Sequence, residues 1–244
     1  MTIAGQRIRA CVVGASGGIG RALCERLAQQ DRVARIYAGA RSPAGLAHDK
    51  VTSFAFDLLD EGSIAAAAQE IAKDGPLDLA IVATGVLQTE KLRPERSWRA
   101  LEAPDIASAF AVNAIGPALI AKHILPLLRR DARAVFAALS ARVGSIGDNR
   151  LGGWHSYRAS KAALNQLVRN FAIELARRNP GAIAVTLHPG TVDTALSRPF
   201  QRGLPPGQLV SPQASAENLL DVIGQLVPEQ SGQLLAWDGS QIPF

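Results

Sequence analysis

The sequence predicts an α/β protein with a single domain, built on an open parallel sheet that carries helices on both faces. Short apolar runs rich in β-branched residues alternate with longer segments that have apolar residues at helical spacing. The first apolar run ends in a cluster of glycines where a helical segment begins. The chain has 244 residues, 48% of them hydrophobic and 19% charged, which is enough for one full core.

Predicted strands and helices alternate along the whole chain, which favours a parallel sheet of about seven strands. The strands cover residues 8–13, 33–40, 51–56, 77–83, 134–139, 182–187 and 232–237. The helices cover residues 19–29, 63–73, 104–128, 157–178 and 212–226. In the first helix, Ile19, Leu23 and Leu27 recur at helical spacing. Pro117 predicts a bend in the helix at 104–128.

One irregular segment, residues 194–211, is rich in proline and glycine. It is too long for a simple connection between two elements, and long loops of this kind often cover an active site. We expect a substrate lid here. The alternative is a loop without a function.

Composition argues against several classes of protein. The net charge of +5 comes from scattered arginines and only 5% of residues are aromatic, so nucleic-acid binding is not expected. The sequence shows no signal peptide and no uninterrupted run of about 18 apolar residues. The only cysteines, Cys11 and Cys24, do not suggest a disulfide framework, and Cys11 is expected to be buried packing. These features predict a cytoplasmic protein without a membrane partner.

The stretch "CVVGASGGIG" predicts a dinucleotide-binding loop. Gly14, Gly18 and Gly20, with an additional Gly17, lie between the first strand and the first helix. A tight turn and a close approach of backbone N–H groups to a pyrophosphate both need residues without a Cβ. The helix N-terminus adds partial positive charge at the same place.

The end of the second strand favours NADP(H) over NAD(H). An acidic residue there would bind the ribose hydroxyls of NAD, but this chain has Ala40 followed by Arg41. A guanidinium suits a 2′-phosphate. Asp57, after the third strand, is placed to bind the adenine amine or, alternatively, to cap a helix.

Tyr157 and Lys161 form a candidate acid–base pair. Residues four apart share one face of a helix, so both side chains can point into one cleft. An adjacent ammonium favours the phenolate and can lower the tyrosine pKa by about 1–3 units. The phenol then becomes a usable acid for a carbonyl oxygen that receives hydride.

Together, the three spaced glycines, Asn113, Tyr157, Lys161 and the "HPG" after the sixth strand resemble the short-chain dehydrogenase/reductases. The stretches "GGWHSYRASKAALN", "HPGTVDT" and "WDGSQIPF" are similar to the C-factor-like and sniffer-like carbonyl reductase branch. The resemblance covers essentially the whole chain. It implies one Rossmann-type domain over residues 1–244, hydride transfer between a nicotinamide and an alcohol or carbonyl, and a homodimer or homotetramer.

The resemblance also implies roles for individual residues. Tyr157 would be the acid/base, Lys161 would hold the nicotinamide ribose and lower the tyrosine pKa, and Asn113 would interrupt its helix and hold a water of a proton relay. The residues expected to bind the cofactor are Gly14, Ser16, Gly17, Gly18, Ile19, Gly20, Arg41, Asp57, Leu58, Gly85, Asn113, Tyr157, Lys161, Pro189, Gly190, Val192 and Thr194, with Thr191 beside them.

The sequence departs from the family pattern where the substrate-orienting serine is expected. Counting back from Gly144 places Ala141 at that position, and Ser140 precedes it. Neighbouring strand residues face opposite ways, so Ser140 faces the cleft only if the strand is locally irregular. We expect Ser140 in the role, with Ser145 or no serine as alternatives. Val13 and the run Val82, Ala83, Thr84, Gly85 also differ from the usual residues.

Two functions from different classes are compatible with these residues. The first is an NADP(H)-dependent reductase of a small ketone or aldehyde. The second is a nucleotide-binding signalling or regulatory protein of the C-factor kind, with weak or vestigial catalysis. A sugar-nucleotide epimerase also uses tyrosine and lysine, but it usually has a longer C-terminal part. No metal site is expected.

Overall fold

The computed structural model describes residues 7–42, 45–90 and 92–244 and has the predicted α/β fold. The first six residues, where no signal peptide was expected, lie outside the described part. The strands are β1 Ile8–Val13, β2 Val33–Ala40, β3 Val51–Ala55, β4 Leu79–Val82, β5 Ala134–Leu139, β6 Ala182–His188, β7 Thr191–Val192, β8 Leu209–Val210, β9 Leu234–Ala236 and β10 Gln241–Ile242. The helices are α1 Gly18–Ala28, α2 Glu61–Ala72, α3 Ala103–Phe110, α4 Gly116–Ile124, α5 His155–Ala176 and α6 Pro212–Gln225.

The main sheet has eight strands in the order β10-β9-β6-β5-β4-β1-β2-β3. Its pairs are parallel except β10 with β9, which is antiparallel. The sequence predicted about seven strands; the additional one is the two-residue β10, too short to leave a pattern. Strand order reverses between β1 and β4, and in such sheets ligands bind in the crevice at the carboxyl ends of those strands.

Helices cover both faces of the sheet, as the prediction required. One core contains side chains of α1 and α6, such as Leu23 and Leu219, packed on one face. The other contains side chains of α2, α4 and α5, such as Ile64, Ile120 and Leu164. The central strands are buried on both sides, which explains why they are continuous apolar runs rather than alternating ones. Cys24 is a free thiol in the first core and Cys11 is a free thiol in the second, and burial raises the pKa of each to about 12.

The helix predicted at 104–128 is interrupted. A π-helical turn, Ala111–Ile115, separates α3 from α4. Pro117 has no N–H to donate to the carbonyl of Asn113 four residues earlier, which explains why regular α-helix does not continue there. By length and composition the segment Ala103–Leu127 could cross a membrane. In the fold it packs on the sheet and on α5, and Ile120, Ala121 and Ile124 are buried in the core, while Ile115 is exposed.

The segment predicted as a lid is partly ordered into small elements. Its end, β8, pairs in parallel with β7 to form a second, two-stranded sheet. Between them lies one turn of 3-10 helix, Arg198–Phe200. The pairing of β7 with β8 holds the two ends of the segment next to each other, just after the carboxyl end of β6.

Candidate active site

The predicted site residues gather at the carboxyl edge of the sheet, around the crevice between β1 and β4. The glycine-rich loop follows β1, Gly85 follows β4, Ser140 follows β5, and Pro189 follows β6. Helix α5, which carries Tyr157 and Lys161, lies against this edge through contacts with the π-helical turn and with the turn Arg142–Gly144.

The glycine loop is tight enough to require glycine at two positions. Gly14 has φ +92°, and a Cβ there would lie 2.9 Å from the backbone of Ala83. A Cβ on Gly20 would lie 2.2 Å from the carbonyl oxygen of Gly14. Gly18 faces the neighbouring loop, where a Cβ would meet Thr194 Cγ2 at 2.8 Å. The loop, the strand β4 end and the segment after β6 therefore touch around one crevice.

The N-terminus of α1 has the properties of a phosphate site. Its N-cap, Gly17, makes no side-chain capping bond, and Ser16, Gly17 and Gly18 are exposed. Ile19 is half buried and Gly20 is buried beneath the loop. Uncapped N–H groups and the helix dipole together attract an anion. In the described part of the chain, the buried Thr84 Oγ1 also has no hydrogen-bond partner. The site thus fits a dinucleotide. The glycine loop from Gly14 to Gly20, here called the cradle, leaves space that side chains would fill, and Thr84 Oγ1 could bond a ligand.

The residues expected around the adenosine end line the neighbouring strands. Ala40 is buried at the end of β2, and Arg41 after it is exposed. Asp57 accepts a hydrogen bond from the backbone N–H of Leu59 at 2.9 Å, while the N-cap of α2 is Asp60. The helix-cap alternative for Asp57 is therefore wrong. Leu58 is buried against Gly116, so only its backbone is available to a ligand.

Tyr157 and Lys161 converge, as their spacing predicts. Both side chains are buried, with exposed fractions of 9% and 3%. Lys161 Nζ lies 6.0 Å from the centroid of the Tyr157 ring and donates to the carbonyl of Leu139 at 2.8 Å. A Cβ on Gly85 would lie 3.5 Å from Lys161 Nζ and from Asn113 Oδ1. Three predicted residues from three separate elements therefore meet at one point.

Burial controls the protonation of this pair. It raises the pKa of Tyr157 to about 12 and lowers the pKa of Lys161 to about 8. The tyrosine shift is opposite to the one expected from an adjacent ammonium, because desolvation of the phenolate dominates in this structure. At neutral pH the phenol keeps its proton and the amine is mostly charged.

Asn113 lies in the π-helical turn and is fully buried. Its amide oxygen accepts from Val86 N at 2.8 Å, and its Nδ2 donates to Val86 O at 2.8 Å and to Ser160 Oγ at 3.1 Å. Ser160 Oγ donates to the carbonyl of Tyr157 at 2.9 Å. Asn113 therefore ties the loop after β4 to the turn of α5 that carries Tyr157.

Among the described residues, neither candidate serine makes a hydrogen bond to Tyr157. Ser140 is buried, and its hydroxyl donates to Asn165 Oδ1 at 2.7 Å, beneath the site. Ser145 Oγ accepts from the backbone N–H of Asp148 at 3.0 Å and braces its own loop. Ala141 has extended backbone, with φ −147° and ψ 146°, so it faces away from the side that Ser140 occupies.

The segment after β6 completes the crevice. Gly190 has φ +80° and lies against Trp237. The carbonyl of Pro189 accepts from Ser215 Oγ of α6 at 2.9 Å. Thr191 and the buried Val192 form β7, and Thr194 contacts Gly18 of the glycine loop. Thr194 therefore brings the segment after β6 against the loop that follows β1.

Two aromatic residues at the site were missed by sequence reasoning. Trp154 lies at the N-cap of α5, and its ring packs 6.3 Å from the Tyr157 ring in an edge-to-face arrangement and 4.9 Å from the Phe200 ring. Trp154 and Phe200 are 46 positions apart in the printed sequence. Two consecutive glycines before a tryptophan were the only local signal, and Phe200 had none.

Comparison with known proteins identifies the class that this fold and site define. The family model for short chain dehydrogenase matches residues 9–204. The chain belongs to this family of oxidoreductases.

Individual relatives agree with the expected branch. The chain is 36% identical to the C-signal of Myxococcus xanthus, over 70% of this chain and 94% of that protein. It is 32% identical to 1-hydroxy-2-glutathionyl-2-methyl-3-butene dehydrogenase of a Rhodococcus species, over 94% of this chain and 96% of that protein. The NADPH-bound carbonyl reductase from chicken fatty liver superposes with a TM-score of 0.84, at 25% identity, covering 98% and 95% of the two chains.

Proposed function

We propose that this protein is an NADP(H)-dependent reductase of small carbonyl compounds, which can also oxidise the corresponding alcohols. The observation that carries the proposal is the meeting of Lys161 with Gly85 and Asn113, with the Tyr157 ring 6.0 Å from the Lys161 ammonium, beside a glycine loop that fits a dinucleotide. The similarity to an NADPH-bound carbonyl reductase supports the choice of substrate class.

The residues present assign parts of the cofactor site. The N–H groups of Ser16 and Gly18 would hold the pyrophosphate at the uncapped start of α1, while the Gly17 N–H donates to the carbonyl of Gly14. Arg41 would bind the 2′-phosphate. Residue 40 is alanine, so there is no carboxylate at that position to repel the phosphate. Asp57 and Leu58 would border the adenine. Gly85, Pro189, Gly190, Val192 and Thr194 would line the nicotinamide end.

The chemistry on the protein side is proton transfer. The bound nicotinamide supplies or accepts the hydride. Tyr157 donates its proton to the carbonyl oxygen; burial raises its pKa to about 12, so the phenol is protonated at neutral pH but is a weak acid without a nearby positive charge. The Lys161 ammonium stabilises the phenolate that remains. We propose that Asn113 holds a water of the relay that returns a proton, and that its side-chain bonds to Val86 and Ser160 keep the turn rigid.

The surroundings of Tyr157 favour an apolar substrate. The rings of Trp154 and Phe200 form an aromatic wall beside the phenol. We propose that residues 194–211 act as the lid, because Phe200 of this segment packs against the Trp154 ring. We further propose that the protein is cytoplasmic. We also propose that it forms a homo-oligomer through α4 and α5, because Ile115 on the π-helical turn and Ile173 on α5 are exposed apolar side chains.

Turnover tests the proposal. The purified protein is mixed with NADPH and a panel of ketones and aldehydes, and absorbance at the nicotinamide wavelength is followed. We expect steady consumption with at least one apolar carbonyl compound. Tyr157→Phe should lower kcat by about 1000-fold, because it removes the proton donor, while NADPH affinity stays within about threefold. Equal turnover by Tyr157→Phe would contradict the proposed acid.

A second candidate, a nucleotide-binding signalling protein with weak catalysis, is favoured by one specific observation. The Ser140 hydroxyl donates to Asn165, and the spacing to Gly144 would place Ala141, which has no hydroxyl, at the substrate-orienting position. The similarity to C-signal is consistent with this function. Tight NADPH binding without turnover across the whole panel would select it.

A further inference from the structure

A buried carboxylate outside the predicted set holds the start of the catalytic helix. Glu95 lies in the loop that connects β4 to α3, and only 4% of it is exposed. An ionised carboxylate is costly to bury unless it is hydrogen-bonded. Its partners therefore show what the loop is built to hold.

Those partners are all at the N-terminus of α5. The backbone N–H of Ser156 lies 3.3 and 3.2 Å from the two carboxylate oxygens, and Ser156 Oγ donates to Oε1. The main-chain carbonyl of Glu95 accepts from the N–H of Trp154 at 2.6 Å. A negative charge at a helix N-terminus is also favoured by the helix dipole. Glu95 thus acts as a cap supplied by a different segment of the chain.

The turn that Glu95 holds has an unusual backbone. Trp154 has φ 51° and ψ 42°, the left-handed conformation, and no other non-glycine residue in the described ranges has positive φ. Gly152 and Gly153 before it also have positive φ. A bulky residue keeps this conformation only where its surroundings enforce it. Glu95 accepts hydrogen bonds from the backbone N–H groups of Trp154 and Ser156. These two N–H groups lie on either side of the φ and ψ bonds of Trp154.

This backbone decides where the aromatic wall lies. Trp154 packs between Tyr157 and Phe200, so its ring direction affects both the phenol and the lid. Tyr157 is the third residue of α5 and lies in the turn that the carboxylate caps. Fraying of that turn would displace the phenol directly.

We propose that Glu95 is a positioning residue for the proton donor: its carboxylate, bonded to Ser156, and its main-chain carbonyl, bonded to Trp154, together fix the first turn of α5 and with it the Tyr157 hydroxyl. The inference rests on the proposed reductase function. It adds a residue that touches neither substrate nor cofactor but controls the geometry of proton transfer. A misplacement of about 1 Å at a reacting group can cost about 100-fold in rate.

Glu95→Gln tests this kinetically, because it keeps the shape but removes the charge and one acceptor. We expect kcat to fall about 10- to 100-fold, in line with loss of positioning, and NADPH affinity to stay within about twofold. The matched control is Asp78→Asn at the opposite edge of the sheet. There, a mostly buried carboxylate accepts from Arg9 N at 2.8 Å and Arg129 Nε at 2.5 Å. It should lower Tm and leave kcat within about twofold.

A spectroscopic readout separates this proposal from the proposed function. The chain has three tryptophans, and replacing Trp98 and Trp237 by Phe leaves Trp154 alone. In that background, Glu95→Gln should shift the emission of Trp154 to longer wavelength and increase its quenching by acrylamide. Ser156→Ala, which removes only the hydroxyl, should give a smaller effect of the same sign and covers the case in which Glu95→Gln does not fold.

The outcomes are distinct. Unchanged Trp154 emission in both variants, or unchanged kcat in Glu95→Gln with Tm lowered as in Asp78→Asn, overturns the positioning role. Absence of turnover in the unmodified protein defeats the reductase function alone, and the emission of Trp154 then still decides whether Glu95 holds the turn.

Discussion

The two halves of the crevice are built in different ways. In the half around β1, the glycine loop is shaped by backbone contacts between residues a few positions apart, such as Gly20 against Gly14. In the half around α5, side chains from distant segments meet: Glu95 with Ser156, Asn113 with Ser160, and Trp154 with Phe200. The first half is a preformed cradle. The second is an assembly that depends on several loops at once.

The difference indicates where function is free to vary. The cradle tolerates little change, because added atoms meet backbone. In the α5 half, Tyr157 and Lys161 converge although Ser140 is bonded to Asn165. Cofactor binding and substrate chemistry should therefore respond separately to substitution.

Gly20→Ala should have the largest effect and should act on the cradle alone. Its Cβ would lie 2.2 Å from the Gly14 carbonyl oxygen, so the loop must shift. We expect NADPH affinity to fall by about 100-fold or more and stability to fall by about 1–3 kcal/mol. Fluorescence titration with NADPH and thermal unfolding measure the two effects.

Gly224→Ala is the matched control for this change. It lies in α6, where a Cβ meets nothing within 4 Å, and alanine is a better helix former. It should leave affinity unchanged and raise Tm slightly. Normal NADPH binding by Gly20→Ala would mean that the cradle is not the cofactor site.

Ala141→Ser should change the α5 half without changing the cradle. A hydroxyl at this position would add a donor for the developing oxyanion, a contribution usually worth about 100- to 1000-fold. We expect kcat to rise by about tenfold or more in the steady-state assay. Ser140→Ala should lower Tm, since Asn165 loses its partner, and should change kcat less than about threefold. The opposite pattern would identify Ser140 as the substrate-orienting serine.

Arg41→Ala should weaken only the adenosine end of the cradle. We expect the KM for NADPH to rise about tenfold and the KM for NADH to change little, because one charge-assisted contact to a 2′-phosphate is lost. Arg35→Ala is the control, since Arg35 is exposed at the other end of β2, where it donates to Thr52. Equal KM changes for both coenzymes would remove the argument for NADP(H).

The smallest expected effect concerns stability rather than affinity. Lys161→Met should raise the Tm of the cofactor-free protein by a few degrees. Burial lowers the folded pKa of Lys161 from 10.5 to about 8, so the cost of its charge is full below pH 8 and disappears as pH rises toward 10.5. This cost is about 3 kcal/mol, partly offset by the bond to Leu139 that methionine cannot make.

The expected Tm gain for Lys161→Met is therefore roughly 2–5 °C at pH 7, shrinking between pH 8 and pH 10. Lys73→Met, at an exposed lysine, should show no such pH dependence. A gain that is constant with pH would mean that Lys161 is not the buried cation described here. Activity should be lost in Lys161→Met, since phenolate stabilisation is removed.

Sequence reasoning identified most of the fold and the convergence of Tyr157 and Lys161 because those signals are local. The alternation of apolar runs and helical spacing predicts the sheet, and four-residue spacing brings Tyr157 and Lys161 together. It could not predict the direction of Ser140. That is decided by the pairing of β5 with β6 and by Asn165 beneath it. It also predicted the wrong direction for the Tyr157 pKa, since burial depends on elements distant in sequence.

The sequence by itself determined the glycine loop between β1 and α1 and the shared face of Tyr157 and Lys161, because each depends on residues within a few positions of one another. Only the tertiary structure decided that Glu95 caps α5, that Trp154 adopts the left-handed conformation, and that Phe200 reaches its ring. The physical reason is that a buried carboxylate and a strained turn are stable only when partners from remote segments satisfy them.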